Sequence, residues 1–247
     1  MKKQAFWVLP MAAALALSGC GSSGNESSGS SDSSGAAQEQ SNETPALTGE
    51  QATAVVKSLV GDSEKAEVMD SESLKGSTSD AEKLVKSMNI KPEKCAELLT
   101  QEGALDTSET NMAVAVVPGE GTAMTTYSVV GFEDSAKAET EKSRIEKKDL
   151  QGCDKFSMSM SGQEFTAAAK ILDVSSDADS AIATKTSMTL NGTEVPGGSY
   201  QLQGLVGPNA VFIVYSGGTG KEKDAEVLDK LTTELNKAVA EVKSAAK

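Results

Sequence analysis

Side chains able to do chemistry are scarce in this sequence, and the missing one matters most. No histidine occurs among its 247 residues, so no Ser-His-Asp or Cys-His nucleophile can be assembled and no imidazole can hold a metal. Acids are abundant, but Glu39, Asp177 and Asp179 stand apart, in stretches that read as tether or loop. None follows the twelve-residue calcium loop with its spaced ligands and central Gly. A carboxylate pair of the glycosidase kind stays open, because its partners would be distant along the chain. Gly217-Gly218-Thr219-Gly220-Lys221 lacks the first Gly of a phosphate-cradling loop, and Glu222 follows where that loop needs Ser or Thr. It reads as a strand-to-helix turn. Three thiols remain, Cys20, Cys95 and Cys153. No catalytic residue, metal site or cofactor is expected.

Cys20 closes an N-terminal leader. Lys2 and Lys3 give a positive start, Ala5 to Ala16 a short apolar run, and Ser18 and Gly19 the small residues before a cut. The run is too short to span a bilayer. Leu17-Ser18-Gly19-Cys20 resembles the bacterial lipobox, which implies that residues 1–19 are a signal peptide and that Cys20 is diacylated, for example with palmitate. The alternative is a chance cysteine behind an ordinary secretory signal. Residues 20–46 are then the lipidated Cys and a tether of Ser, Gly, Asn, Gln and acids, unable to bury enough apolar area to order itself. Its composition resembles the tethers of Gram-positive lipoproteins, actinobacteria included. The expected location is the cell membrane, lipid-anchored, on the extracytoplasmic face.

With Cys20 acylated, Cys95 and Cys153 form an even pair in an oxidising compartment. They read as one structural disulfide between residues 58 apart; two free thiols or a redox pair are the alternative. The formal charge is −13, and it becomes −15 when Lys2 and Lys3 leave with the leader. That balance, with 4% aromatic residues and the only Trp in the leader, argues against nucleic acid as a partner.

The elements must come from residues 47–247, enough for one domain with a real core. Thr48 and Gln51 are spaced as a capping box ahead of Ala52, Val55, Val56 and Leu59. Residues 61–77 read as an irregular connection. Ser79 and Glu82 make a second box before Leu84, Val85 and Met88, and Pro92 opens a helix carrying Cys95, Leu98 and Leu99 on one face. Two strands follow, at about 112–117 and 124–132, then a polar helix capped by Asp134 that runs to about Leu150.

After Cys153 the period is two. Phe156, Met158 and Met160 alternate with Lys155, Ser157 and Ser159, and further strands lead through a hairpin turn at Asn191-Gly192 to Val211–Tyr215, apolar on both faces. A last helix spans about 222–242. The fold class is α+β: a single antiparallel β-sheet, a meander of about 5–7 strands, with helices packed on one face. The polar residues Ser157, Thr166, Lys170, Lys185, Ser187, Gln201 and Gln203 are expected on the side away from the helices. There they could bind a small polar or anionic ligand; a merely solvated sheet face is the plainer reading.

Pro92-x-x-Cys95 on an early helix, Phe132-x-x-Ser135 opening a later one that ends just before Cys153, the meander and the closing helix resemble the extracellular sensor domain of the mycobacterial PknH-type Ser/Thr kinases. That domain also occurs in actinobacterial lipoproteins. The resemblance implies ligand sensing in a cleft on the sheet and names no ligand. The chain departs from it in having two cysteines in the domain where four are common, and Leu150 where a Trp is frequent.

Three functions are compatible with these features. One is a membrane-anchored, non-catalytic, sensor-like binding module for a small ligand or an envelope protein. The alternative is a lipid or glycolipid carrier with an apolar cavity, and an enzyme comes third.

Overall fold

The computed structural model describes residues 44–74, 83, 87–96, 110–150, 152–160, 162–218 and 222–247. Cys20 with its leader and the tether as far as residue 43, the box at Ser79 and Glu82 with Leu84 and Val85, Leu98, Leu99 and residues 219–221 lie outside them.

The first helix, α1 (Gly49–Val60), begins where the sequence requires. The Thr48 hydroxyl accepts from the Gln51 amide at 3.3 Å and Gln51 Oε1 accepts from the Thr48 amide at 2.8 Å, so two orphan donors are satisfied together. Ala52, Val55 and Val56 are its buried stripe. Strand β1 (Glu67–Asp70) and the single turn α2 (Ser71–Leu74) follow, then β2 (Thr110–Pro118), β3 (Met124–Phe132) and α3 (Ser135–Lys147). Asp134 caps α3 by accepting from the Ala136 amide, and Lys148 ends it in the left-handed conformation, earlier than the expected Leu150. The second half runs β4 (Lys155–Met160), β5 (Gln163–Leu172), β6 (Ser180–Leu190), β7 (Thr193–Glu194), β8 (Ser199–Val206), β9 (Asn209–Ser216) and α4 (Asp224–Ala245). Asn191 and Gly192, at φ 52° and 80°, make the expected hairpin turn, a backbone shape suited to this dipeptide.

All strands join one antiparallel sheet in the order β1-β2-β3-β9-β8-β6-β5-β4, with β7 paired to β6. It is two meanders, β1–β3 and β4–β9, joined where β9 pairs β3; α3 carries the chain from the middle of the sheet to its far edge.

Two expectations need correction. Among the described residues the sheet has nine strands, not 5–7. β1 is four residues with an acid at each end, too short to show a period, and it exists because β2 offers it a partner; β7 is two residues of hairpin. The helices also lie on both faces rather than one. Ala113, Ala115, Val129, Leu202, Val211 and Ile213 meet α1 and α4 on the first face. Their neighbours Met112, Val114, Val130, Leu205 and Phe212 meet Leu74 of α2 and Ala138 and Ile145 of α3 on the second. Strands apolar at consecutive positions must be covered twice. On β8, Gly204 brings the first face close to α4, where an added Cβ would lie 3.2 Å from a Leu235 methyl.

The segment entering α1 is fixed across the ends of β3 and β9. Leu47 is fully buried, and its amide donates to Asn209 Oδ1 at 2.8 Å. Asn209 Nδ2 donates to the carbonyls of Pro45 and Val206. Gly131 is required beneath it, since a Cβ there would stand 2.4 Å from the Leu47 carbonyl oxygen. No helix among the described residues is long and apolar enough to cross a membrane.

Candidate functional site: a lysine-bearing half-sheet

The β4–β5–β6 half of the sheet differs between its faces. On the second face Met158 and Ala167 are buried against Met88, Ile90 and the Cys95–Cys153 disulfide, with Phe156, Phe165 and Met188 packed around them. The Met and Phe side chains that a lipid carrier would need as cavity lining are spent on this cluster. Its edge is closed as well, because Lys91 and Ser157 exchange backbone hydrogen bonds, both of 2.8 Å.

The first face of the same strands is polar. Cross-strand pairing puts Ser157 opposite Thr166, Ala168 opposite Ser187 and Lys170 opposite Lys185, so these side chains project to one side. Lys155, opposite Ala168, joins them. Lys155 and Lys170 are exposed, and Lys185 and Ser187 are half-buried. Among the described residues, no helix lies over the outward side of β4 and β5.

Lys185 is held at the border with α4. Its Nζ donates to Asp224 Oδ1 at 2.6 Å and sits 5.4 Å from the centre of the Tyr200 ring, while the Tyr200 hydroxyl donates to the same carboxylate oxygen at 2.7 Å. Tyr215 packs tilted beside Tyr200, ring centres 6.4 Å apart. The turn that brings α4 here needs glycine. Gly217 and Gly218 have φ of 81° and 84°, and a Cβ on Gly217 would lie 2.2 Å from the Thr122 carbonyl oxygen. For these two residues the strand-to-helix reading holds.

The hydrogen bond from Lys185, followed by that from Tyr200, holds the Asp224 carboxyl below its ordinary range, and Asp224 in turn raises Lys185. The pair is therefore charged across the neutral range. Its contribution is lost only as pH falls below the ordinary carboxylate value or rises through the raised lysine value.

All three tyrosines of the chain are raised too. Burial is the first cause in each, aided by Asp224 at Tyr200, Glu222 at Tyr215 and Glu234 at Tyr127. The Tyr127 hydroxyl donates to Glu234 Oε2 at 2.7 Å, and this phenol is displaced furthest. A raised phenol adds stability that is complete below about pH 10 and lost as pH climbs through the folded value. A tyrosinate absorbance titration should show no phenol ionising at its ordinary value, with the last rise absent from Tyr127→Phe. A single transition near pH 10 would contradict it.

The structure thus gathers Ser157, Thr166, Lys170, Lys185 and Ser187 but not the whole predicted set. Gln201 and Gln203 face the other way. Pairing Gln203 with Phe212 and Ile182 turns it to the second face, fully buried, where it bonds to Glu141 and Arg144 of α3. Polar residues of β8 alternate correctly, but which side they take is set by long-range register. Lys155 could have been found, as it shares the alternation of Ser157; Asp224, Tyr200 and Tyr215 could not, because the topology alone brings them to Lys185. Of the acids singled out in the sequence, Asp179 accepts from the Gly207 amide at 2.7 Å, and the Asp177 amide donates to Asn236. Both serve the loop before β6.

No family model matches the chain, and no curated protein matches it in sequence. Several solved structures are similar to it, two from mycobacteria among them. The extracellular domain of PknH from Mycobacterium tuberculosis is 10% identical, with 81% of this chain and 99% of that chain covered and a TM-score of 0.46. An uncharacterised protein from Mycobacterium smegmatis, the Rv0999 ortholog, is 16% identical over 78% of this chain and 96% of that one, with a TM-score of 0.44. At this level neither likeness bears on what the chain binds.

Proposed function

We propose that this chain is a cell-envelope lipoprotein, anchored through diacylated Cys20, whose domain is a non-catalytic binding module for an anionic ligand on the open half-sheet. The observation that carries the binding is the register of Lys170 opposite Lys185. Like charges facing each other across a strand pair cost stability. Lys185 is paired with Asp224, whose carboxylate also interacts electrostatically with Lys170; Lys155, on the next strand, adds a third charge beside a face lined with hydroxyls. In a chain of net charge −13, a local cationic surface is a place where an anion is welcome and elsewhere is not. The anchor rests on the lipobox-like sequence at residues 17–20.

One preparation tests both parts. The full chain, purified from a bacterial membrane in zwitterionic detergent, should carry two acyl chains on Cys20 by intact mass; an unmodified Cys20 removes the anchor. Titrating inorganic phosphate into the same sample should shift amide resonances of the outward residues of β4–β6, and Lys170→Gln with Lys185→Gln should reduce those shifts several-fold. Equal shifts in the double variant, or none in the parent, would dispose of the binding reading.

A further inference from the structure

We infer that the occupant of this face is an extended phosphodiester-linked polyol polymer, met across the strands, rather than a single small anion. The inference rests on the binding reading above and adds the shape and chemistry of the ligand. Lys155, Lys170 and Lys185 lie on three successive strands, β4, β5 and β6. Strands are about 4.8 Å apart, and diagonal neighbours on one face about 7–8 Å. These lysine positions therefore form a row running across the strands, and among the described residues no helix lies on the outward side of β4 and β5 to enclose a small molecule. A lone phosphate can meet two of them at most, and the place beside Lys185 is already shared with Asp224. A chain of phosphates laid across the strands engages all three.

The side chains narrow the polymer. Lysine offers compact point charges that take phosphate without a fixed fork geometry, which suits a flexible polyanion; Arg144, the only Arg of the chain, is committed to Glu141 and Gln203 on the opposite face. Ser157, Thr166 and Ser187 beside the row supply hydroxyls for a hydroxylated backbone. None of the outward residues of β4–β6 is aromatic, and the Tyr200 ring beside Lys185 is buried, so these strands offer no exposed ring on which nucleic-acid bases could stack. The polarity of the face sets where the polymer lies. Glu164, opposite Ser159, and Glu194, opposite Thr189, make the far end acidic, which confines a polyanion to the lysine end.

The test uses the full chain in zwitterionic detergent and a fluorescent poly(glycerol phosphate) of fixed length, read by anisotropy. Binding should weaken with salt at a log–log slope of about −2, as expected for three engaged phosphates on a flexible strand. Lys155→Gln, Lys170→Gln and Lys185→Gln together should lower affinity about 100-fold, near fivefold for each lysine. Lys57→Gln, Lys65→Gln and Lys142→Gln together, equal in charge but off the face, should leave it within about twofold. Equal losses in the two triple variants would overturn the site. Equal binding by polygalacturonate or by single-stranded DNA of the same charge number would overturn the polyol-phosphate assignment. If the polymer fails to bind while inorganic phosphate still shifts the outward residues of β4–β6, the polymer inference falls and the binding module stands.

Discussion

Replacing Cys95 and Cys153 together by serine should lower the stability of the domain by about 4 kcal/mol, with a range of about 2–5. The bond joins residues 58 apart, and the loop so closed contains β2, β3 and α3, one flank of the sheet and the helix that leads to the other. In the unfolded chain that cross-link removes much of the freedom of the whole loop. In the folded state it is cheap to keep, since both half-cystines are buried among Met88, Ile90, Met158 and Ala167. For a domain of this size the loss corresponds to roughly 8–16 °C in melting temperature. Thermal melts of the oxidised, reduced and doubly substituted protein measure it directly. A double variant that melts within about 2 °C of the parent would mean that the packing cluster, not the bond, ties β4 to the segment before it.

The second large effect should come from Asn209→Ala. One buried side chain satisfies three backbone groups, accepting from the Leu47 amide and donating to the carbonyls of Pro45 and Val206. Truncating it leaves buried polar groups without partners, at about 1–3 kcal/mol for each that water cannot reach. Because the entering segment can lift away and recover water, a net loss of about 2–4 kcal/mol is expected. Release of Leu47 then exposes a fully buried side chain and the start of α1. Limited proteolysis should cut the variant between Thr44 and Thr48 where the parent resists. Gly131→Ala should give the same cleavage by pushing on the Leu47 carbonyl from below. Two unrelated substitutions with one phenotype would establish the clamp; resistance in both would refute it.

What could be read from the sequence was local. The box at Thr48 and Gln51, the turn at Asn191-Gly192 and the cap at Asp134 depend on neighbours within a few residues, and each forms as its chemistry dictates. The second layer of helices was signalled as well. Val211–Tyr215, apolar at consecutive positions, already implies a cover on both faces of that strand, and Met112–Val117 carries the same signal; only the overall assignment of the helices to one face overlooks it. The candidate site was legible to the same depth. Alternation placed Lys170, Lys185 and the hydroxyls on one side of their strands. It could not tell which side of β8 matches, so Gln201 and Gln203 were grouped with the wrong face. The polarity of Gln203 becomes intelligible only beside Glu141 and Arg144, on a helix about 60 residues earlier.

The clamp at Asn209 also fixes which end of the domain leads. The chain enters beside the β8–β9 turn, where a Cβ on Gly207 would lie 2.9 Å from the Thr44 side chain. Lys185, opposite Tyr200 near the start of β8, lies toward the other end of that hairpin, some 20 Å away at 3.3 Å per residue. Charges in physiological salt are felt over about 8 Å. Under the anchoring proposed at Cys20, the lysine row would stand more than two such lengths from the point where the tether enters the domain, out of electrostatic reach of headgroups gathered there.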